Sequence, residues 1–121
     1  MATLEIPRSK WISFFDSFNN QHRGRLITME IMSPDFGDQV EVRDLPLERI
    51  TAELSEENDE LEITVGDERD QHLSKTIPGP RNVWLKQSDE GADEALEIEA
   101  QAEKVLLLLR DSVSTGRVTA S

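Results

Sequence analysis

Few residues of this 121-residue chain could do chemistry near neutral pH: it has two histidines, His22 and His72, and no cysteine. Histidine is the side chain whose ordinary titration range straddles neutrality, so each ring is a candidate acid, base or metal ligand. His22 lies in the run Gln21-His22-Arg23-Gly24-Arg25. It reads either as an imidazole at the edge of a pocket or as a helix C-terminal histidine stacked on Phe18. His72 follows Asp67, Glu68 and Asp70. That spacing allows a His–carboxylate metal site, or a surface histidine among solvated acids. A zinc site joining the two histidines needs a third ligand that the sequence does not identify.

The 25 acidic residues supply enough carboxylates for paired acid–base work. Most fall in loops or on the polar phase of strands, where they read as solvated faces. No phosphate-binding glycine loop, H-E-x-x-H, G-x-S-x-G or D-x-[DN]-x-[DN]-G pattern occurs. We therefore assign no catalytic residue, no metal ligand set and no cofactor. The candidate binding residues are His22, Arg23, Arg25, His72 and Trp84.

These residues need elements to hold them. Trp11, Phe14, Phe15 and Phe18 fall on one stripe at 100° per residue, with Asp16 and Asn19 facing away. The spacing predicts an amphipathic helix over about 8–22. Pro7 suits its first turn, Ser9 is an alternative N-cap, and Gly24 is its stop. Burying four aromatics roughly offsets the entropy of ordering about 15 residues, so the helix needs a sheet to cover its face.

Residues from about 25 to 110 read as short strands separated by turns. Arg25–Met32, Gln39–Arg43, Arg49–Leu54, Leu61–Val65, His72–Ile77, Asn82–Gln87, Leu96–Ala100 and Val105–Arg110 carry the β patterns. Pro46 is expected to break the second from the third, because it cannot donate to a ladder. Val83 and Leu85 share one face and Trp84 the other. Leu106 and Leu108 make the last strand apolar on both faces, as befits a central strand; a dimer edge is the alternative. It is our preferred seat for the helix. Met1–Glu5 is expected to fray, and the tail 111–121 to be disordered. The expected fold is mainly β (α+β): an N-terminal helix on a curled antiparallel sheet or small barrel of seven to eight strands, one domain over 1–110.

Formal net charge is −12, distributed as +1 through Ser33 and −13 beyond it. An acidic body repels phosphate backbones and anionic lipid, so neither nucleic acid nor membrane is an expected partner. The start MATLEIPRSK has no apolar stretch after its basic residues. The longest apolar run, Val105–Leu109, is far short of the roughly 20 residues a bilayer crossing needs. A cytoplasmic protein is expected.

Glu5-Ile6-Pro7-Arg8, Trp11, Phe14-Phe15-Asp16, Phe18, His22-Arg23-Gly24, Asp44-Leu45-Pro46-Leu47, Ile77-x-x-Pro80-x-x-Val83 and Leu96-Glu97-Ile98-Glu99 followed by the Leu-rich strand stand out along the chain. Together these stretches resemble an uncharacterised bacterial family known only as a domain of unknown function. Two places depart from its pattern. Arg25-Leu26 stands where an aromatic tends to follow His-Arg-Gly, and Ala102-Glu103 stands where an Asp-Gly type turn tends to join the last strands. The second departure questions that hairpin, since neither residue adopts positive φ readily. The resemblance implies a bacterial source and no activity.

Function is left as a binding or protein-interaction module, a homodimer or the partner of another protein, with His22-Arg23-Gly24-Arg25 as an exposed basic spot. The alternative is a small-molecule-binding barrel whose pocket lies between helix and sheet, lined by Phe14, Phe18 and Trp84. An acid–base or metal-assisted hydrolase is the third reading.

Overall fold

A computed structural model of the chain describes residues 2–35, 37–66 and 72–110. The elements run β1 (Ala2–Ile6), a 3-10 turn (Arg8–Lys10), α1 (Trp11–His22), β2 (Leu26–Ser33), β3 (Gly37–Glu53), β4 (Glu60–Gly66), β5 (His72–Pro78), β6 (Pro80–Gln87), β7 (Asp93–Ala100) and β8 (Lys104–Arg110). The strands form one open antiparallel sheet in the order β1-β6-β7-β8-β2-β3-β4-β5. The fold is mainly β with a single N-terminal helix, as expected, but the sheet does not close into a barrel. The loop 67–71 and the tail 111–121 lie outside the described residues.

The alternation read in the sequence sets the two faces. Leu4, Leu85, Leu96, Leu107, Met29 and Val42 stand opposite one another in register, an apolar row running from β1 to β3 on the inner face. Trp11, Phe15 and Phe18 of α1 join all of these side chains except Leu4 in one buried cluster that also takes in Leu61, Ile63 and Ile77 of β4 and β5. A single core shared by both ends of the sheet requires the sheet to curl around the helix. The curl also brings the β5 edge to the β7–β8 turn: Lys75 Nζ lies 3.2 Å from Glu103. β8 is central, which explains why Leu106 and Leu108 on its outer face are half-buried.

Five expectations change. Met1–Glu5 does not fray as a whole: residues 2–6 pair with Val83–Gln87 of β6, and Asn82 donates to Glu5 Oε2 at 2.9 Å. Pro46 breaks nothing. Leu47 donates its N–H to Arg25 O and accepts from Gly24 N, so its peptide faces β2. Successive residues alternate sides, so the Pro46 nitrogen faces away from β2, where pairing with β4 begins only at Leu47. β3 therefore runs 17 residues through Pro46, bent by bulges opposite Thr28 and at Glu41. Asp44 takes φ +54° at the first bulge, its N–H donated to Thr28 Oγ1 at 3.3 Å.

The helix seat also differs: α1 packs chiefly along β3, not β8. β2 ends opposite Pro46, so Ile50 has no strand on that side. Asn19 fills the gap, donating to Ile50 O at 2.9 Å and accepting from Ile50 N at 2.8 Å. Asn19 is buried rather than facing away. It lies just beside the aromatic stripe, close enough to turn inward where β3 offers both backbone groups. The last correction is the β7–β8 turn. It closes with an Ala100 N–H to Glu103 O bond of 2.9 Å and needs no positive φ at Gln101–Glu103.

Candidate functional site

Four connections meet at one end of the sheet, and an open groove of about 710 Å³ lies among them. The 3-10 turn after β1 brings Arg8, the β3–β4 turn brings Ser55 to Asp59, the β5–β6 turn brings Gly79 to Arg81, and the β7–β8 turn brings Gln101. Backbone bonds braid the turns together. Gly79 donates to Asp59 O, and Gln101 donates to Gly79 O, each at 3.1 Å. Ser55 fixes the β3–β4 turn by donating its hydroxyl to Asn58 O at 2.7 Å while accepting from Asn58 N.

Arg8 clamps Asp59 with two donors, Nε to Oδ2 at 2.7 Å and Nη2 to Oδ1 at 2.8 Å, and reaches Ser55 O at 3.3 Å. This is the bidentate geometry that fixes a guanidinium in one plane. The bond from Arg8 holds the Asp59 carboxyl below the usual carboxylate range, and the Ser55 N–H adds to it against partial desolvation. The same bond raises the Arg8 guanidinium. A carboxylate so occupied is a poor proton acceptor at neutral pH. Arg81, Glu56 and Glu57 also line the groove and are exposed. The groove thus sets exposed charges of both signs beside the paired Arg8 and Asp59.

The candidates from the sequence scatter into three places. His22 is buried, contrary to its reading as an exposed basic end. Its ring lies 4.6 Å from that of Phe18, in contact but tilted by 57° rather than stacked, and it is also built into a polar chain. Arg25 Nη1 is 3.2 Å from Nδ1, and Asp93 Oδ2 is 2.8 Å from Nε2. A guanidinium only donates, so Nδ1 accepts and Nε2 carries the proton given to Asp93. Gln87 donates to the other Asp93 oxygen at 2.9 Å. Both ring nitrogens are committed, and the chain ties the end of α1 to the start of β7.

Arg23 and His72 come together through β3. Arg23 Nε donates to Glu48 O at 3.3 Å, while His72 Nε2 pairs with Glu48 Oε1 and Arg49 with Oε2. The His72 bond pulls the Glu48 carboxyl below its usual range, with smaller help from Arg49. His72 also borders a cleft of about 410 Å³ with Arg43 and Leu73. Asp67, Glu68 and Asp70, its expected neighbours, lie outside the described residues. Among the described residues no group of three or more His, Cys, Asp or Glu converges as a metal cage.

Trp84 stands apart, half-buried on the outer face between Glu5 and Glu97. The helix is on the inner face, so Trp84 cannot line a pocket with Phe14 and Phe18. Phe18 itself is packed into the core. The pocket drawn from the sequence therefore does not form. Sequence reasoning missed Arg8, Asp59 and Arg81, because nothing local signals that residues 51 positions apart will meet.

Fold and site define a small mainly β protein: an open antiparallel sheet curled around one N-terminal helix, with a braided turn end. No described helix is long and apolar enough to cross a membrane. The chain belongs to DUF5335, a family of unknown function, whose model matches residues 2–117. It is similar to an uncharacterised protein of the bacterium Aquifex aeolicus (strain VF5), 29% identical over 89 residues that cover 74% of this chain and 75% of that protein. No solved structure matches. Arg8 and Pro80, from two of the stretches that carried the resemblance, meet in the groove.

Proposed function

We propose that the protein is a small non-enzymatic interaction module that takes a charged segment of a partner protein in the groove lined by Arg81, Glu56 and Glu57. One observation carries this reading: the groove is open and lined by exposed charges of both signs beside a locked Arg8–Asp59 pair. Pockets for small molecules are concave, mostly apolar and bury most of their ligand. An open polar trough instead suits a chain lying across it, with rim charges selecting register and partner. The Arg8–Asp59 pair supports this role because it leaves neither group free to serve as an acid or base.

Affinity capture from lysate of the source organism tests the proposal, with mass spectrometry of both proteins and small molecules. The triple variant Arg81→Glu, Glu56→Lys, Glu57→Lys reverses the exposed charges and spares the Arg8–Asp59 pair. The expected result is a protein that wild type captures and the variant loses at least tenfold. A small molecule retained in stoichiometric amount, with no protein sensitive to the variant, overturns the reading.

A second surface is favoured by the gathering of Arg23, Arg49 and His72 around Glu48. On a chain of net charge −12, such a basic cluster suits an acidic segment of a partner. We further propose a cytoplasmic location, a single domain over 1–110, and self-association as part of the module's work.

A further inference from the structure

The curled sheet has four stretches of strand edge among the described residues, and three are managed. Residues 37–46 of β3 have no strand on the side away from β2 and are bent by two bulges. The second half of β3 is covered by α1, with Asn19 satisfying the backbone of Ile50. β5 is guarded by Pro78 and by Lys75, which points to the inner face opposite Ile63 and pairs with Glu103. Inward charges and prolines are the devices by which sheets discourage edge-to-edge pairing. β1 has neither. Its sequence is Ala-Thr-Leu-Glu-Ile, and it bonds to β6 on one side only.

The apolar inner row also stops abruptly there. Leu107, Leu96 and Leu85 are buried, whereas Leu4, next in register, is 45% exposed. We propose that β1 pairs antiparallel with β1 of a second copy of this chain, about a two-fold axis at Leu4. Identical edges can pair this way because the arrangement is isologous and closes after two copies. In that register Leu4 meets Leu4 of the second copy, so the apolar row continues across the axis into the second sheet. Ala2 stands opposite Ile6. Glu5 stands opposite Thr3, so no carboxylate faces its own image. The same operation on β5 would set Lys75 against Lys75, which disfavours that edge.

Five residues a side make a small interface, at the weak end of specific association. The dimer therefore forms and dissociates with concentration. The inference extends the reading of the chain as an interaction module but uses the β1 edge and none of the groove residues, so the two fail separately.

Two measurements test it. Sedimentation of wild type across a wide concentration range gives a monomer–dimer equilibrium, and Leu4→Lys weakens it at least tenfold with an unchanged circular dichroism spectrum. The chain has no cysteine, so Leu4→Cys places one thiol on the axis. Directly opposed residues of an antiparallel pair have Cβ atoms about 4.5–5.5 Å apart, close to disulfide range. Under mild oxidation Leu4→Cys gives covalent dimer at least tenfold faster than Leu73→Cys on the β5 edge, which is comparably exposed at 36%. Wild type that stays monomeric throughout, or cross-linking no faster at Leu4 than at Leu73, overturns the proposal. So does growth into higher oligomers, which a β1-to-β5 contact would give. Loss of partner capture in the groove variant with dimerisation intact, or the reverse, shows which surface has failed.

Discussion

Arg8 and Asp59 are 51 positions apart, yet their bidentate pair is built into the lining of the groove. Its pH dependence follows from the direction of the shift. Asp59 binds its proton less readily in the folded chain than in the unfolded one. The pair therefore contributes stability above the ordinary aspartate value of about 3.9, and loses it as pH falls through the lower folded value. Following the Asp59 carboxyl carbon by NMR, we expect its midpoint below the ordinary value, and in Arg8→Gln a return toward it. An Asp59 midpoint unmoved by that substitution would mean that the Ser55 N–H, not Arg8, holds the carboxylate. The Arg8 side chain is 53% exposed, so the pair orders the groove more than it stabilises the fold.

At the scale of elements, α1 does the work of a missing strand. β2 stops opposite Pro46 while β3 runs on to Glu53, and this leaves Ile50 with an unpaired N–H and C=O. Asn19 is the one side chain type, apart from Gln, that can both donate and accept through a planar amide here. Asn19→Ala strands both groups in a buried site, at roughly 1–3 kcal/mol for each. Urea denaturation should show that loss as a lower midpoint at unchanged slope. Asn19→Asp keeps the acceptor for Ile50 N and loses the donor to Ile50 O, so it should fall between the two. A loss below about 0.5 kcal/mol for Asn19→Ala would mean that water replaces the amide and that the aromatic face alone seats the helix.

Across the whole molecule, the excess of acid weighs on a fold with few compensating bases. The formal charge of −12 sits on a chain whose surface pairs, such as Arg8–Asp59 and Lys86–Glu97, engage only some of its carboxylates. Self-repulsion of this kind destabilises the compact state, and salt screens it beyond about 10 Å at 0.1 M. Raising NaCl from 10 mM to 0.5 M should therefore raise the melting temperature. Each ~1 kcal/mol of relieved repulsion corresponds to roughly 3–6 °C for a chain of this size. A fall instead would mean that the local ion pairs outweigh the long-range repulsion.

The sequence by itself determined the faces. Trp11, Phe15 and Phe18 recur at helical spacing, and Leu61, Ile63 and Val65 at strand spacing, because side-chain periodicity is a local property of the backbone. It also determined the family, through stretches that run from Glu5 to the last strand, and the acidity of the body. Tertiary structure decided everything that needed a neighbour. Ala2–Ile6 became a strand because β6 had a free edge. Pro46 stayed within one because its missing donor faced the unpaired side. Asn19 and His22 went inside because Ile50, Asp93 and Arg25 met their polar atoms. Trp84 was read correctly as facing away from Val83 and Leu85, yet only the position of the helix showed which face was which. The groove at Arg8, Asp59 and Arg81 was illegible for the same reason. Periodicity tells a residue which way to point, whereas partners across a sheet or a turn are set by how distant segments pair.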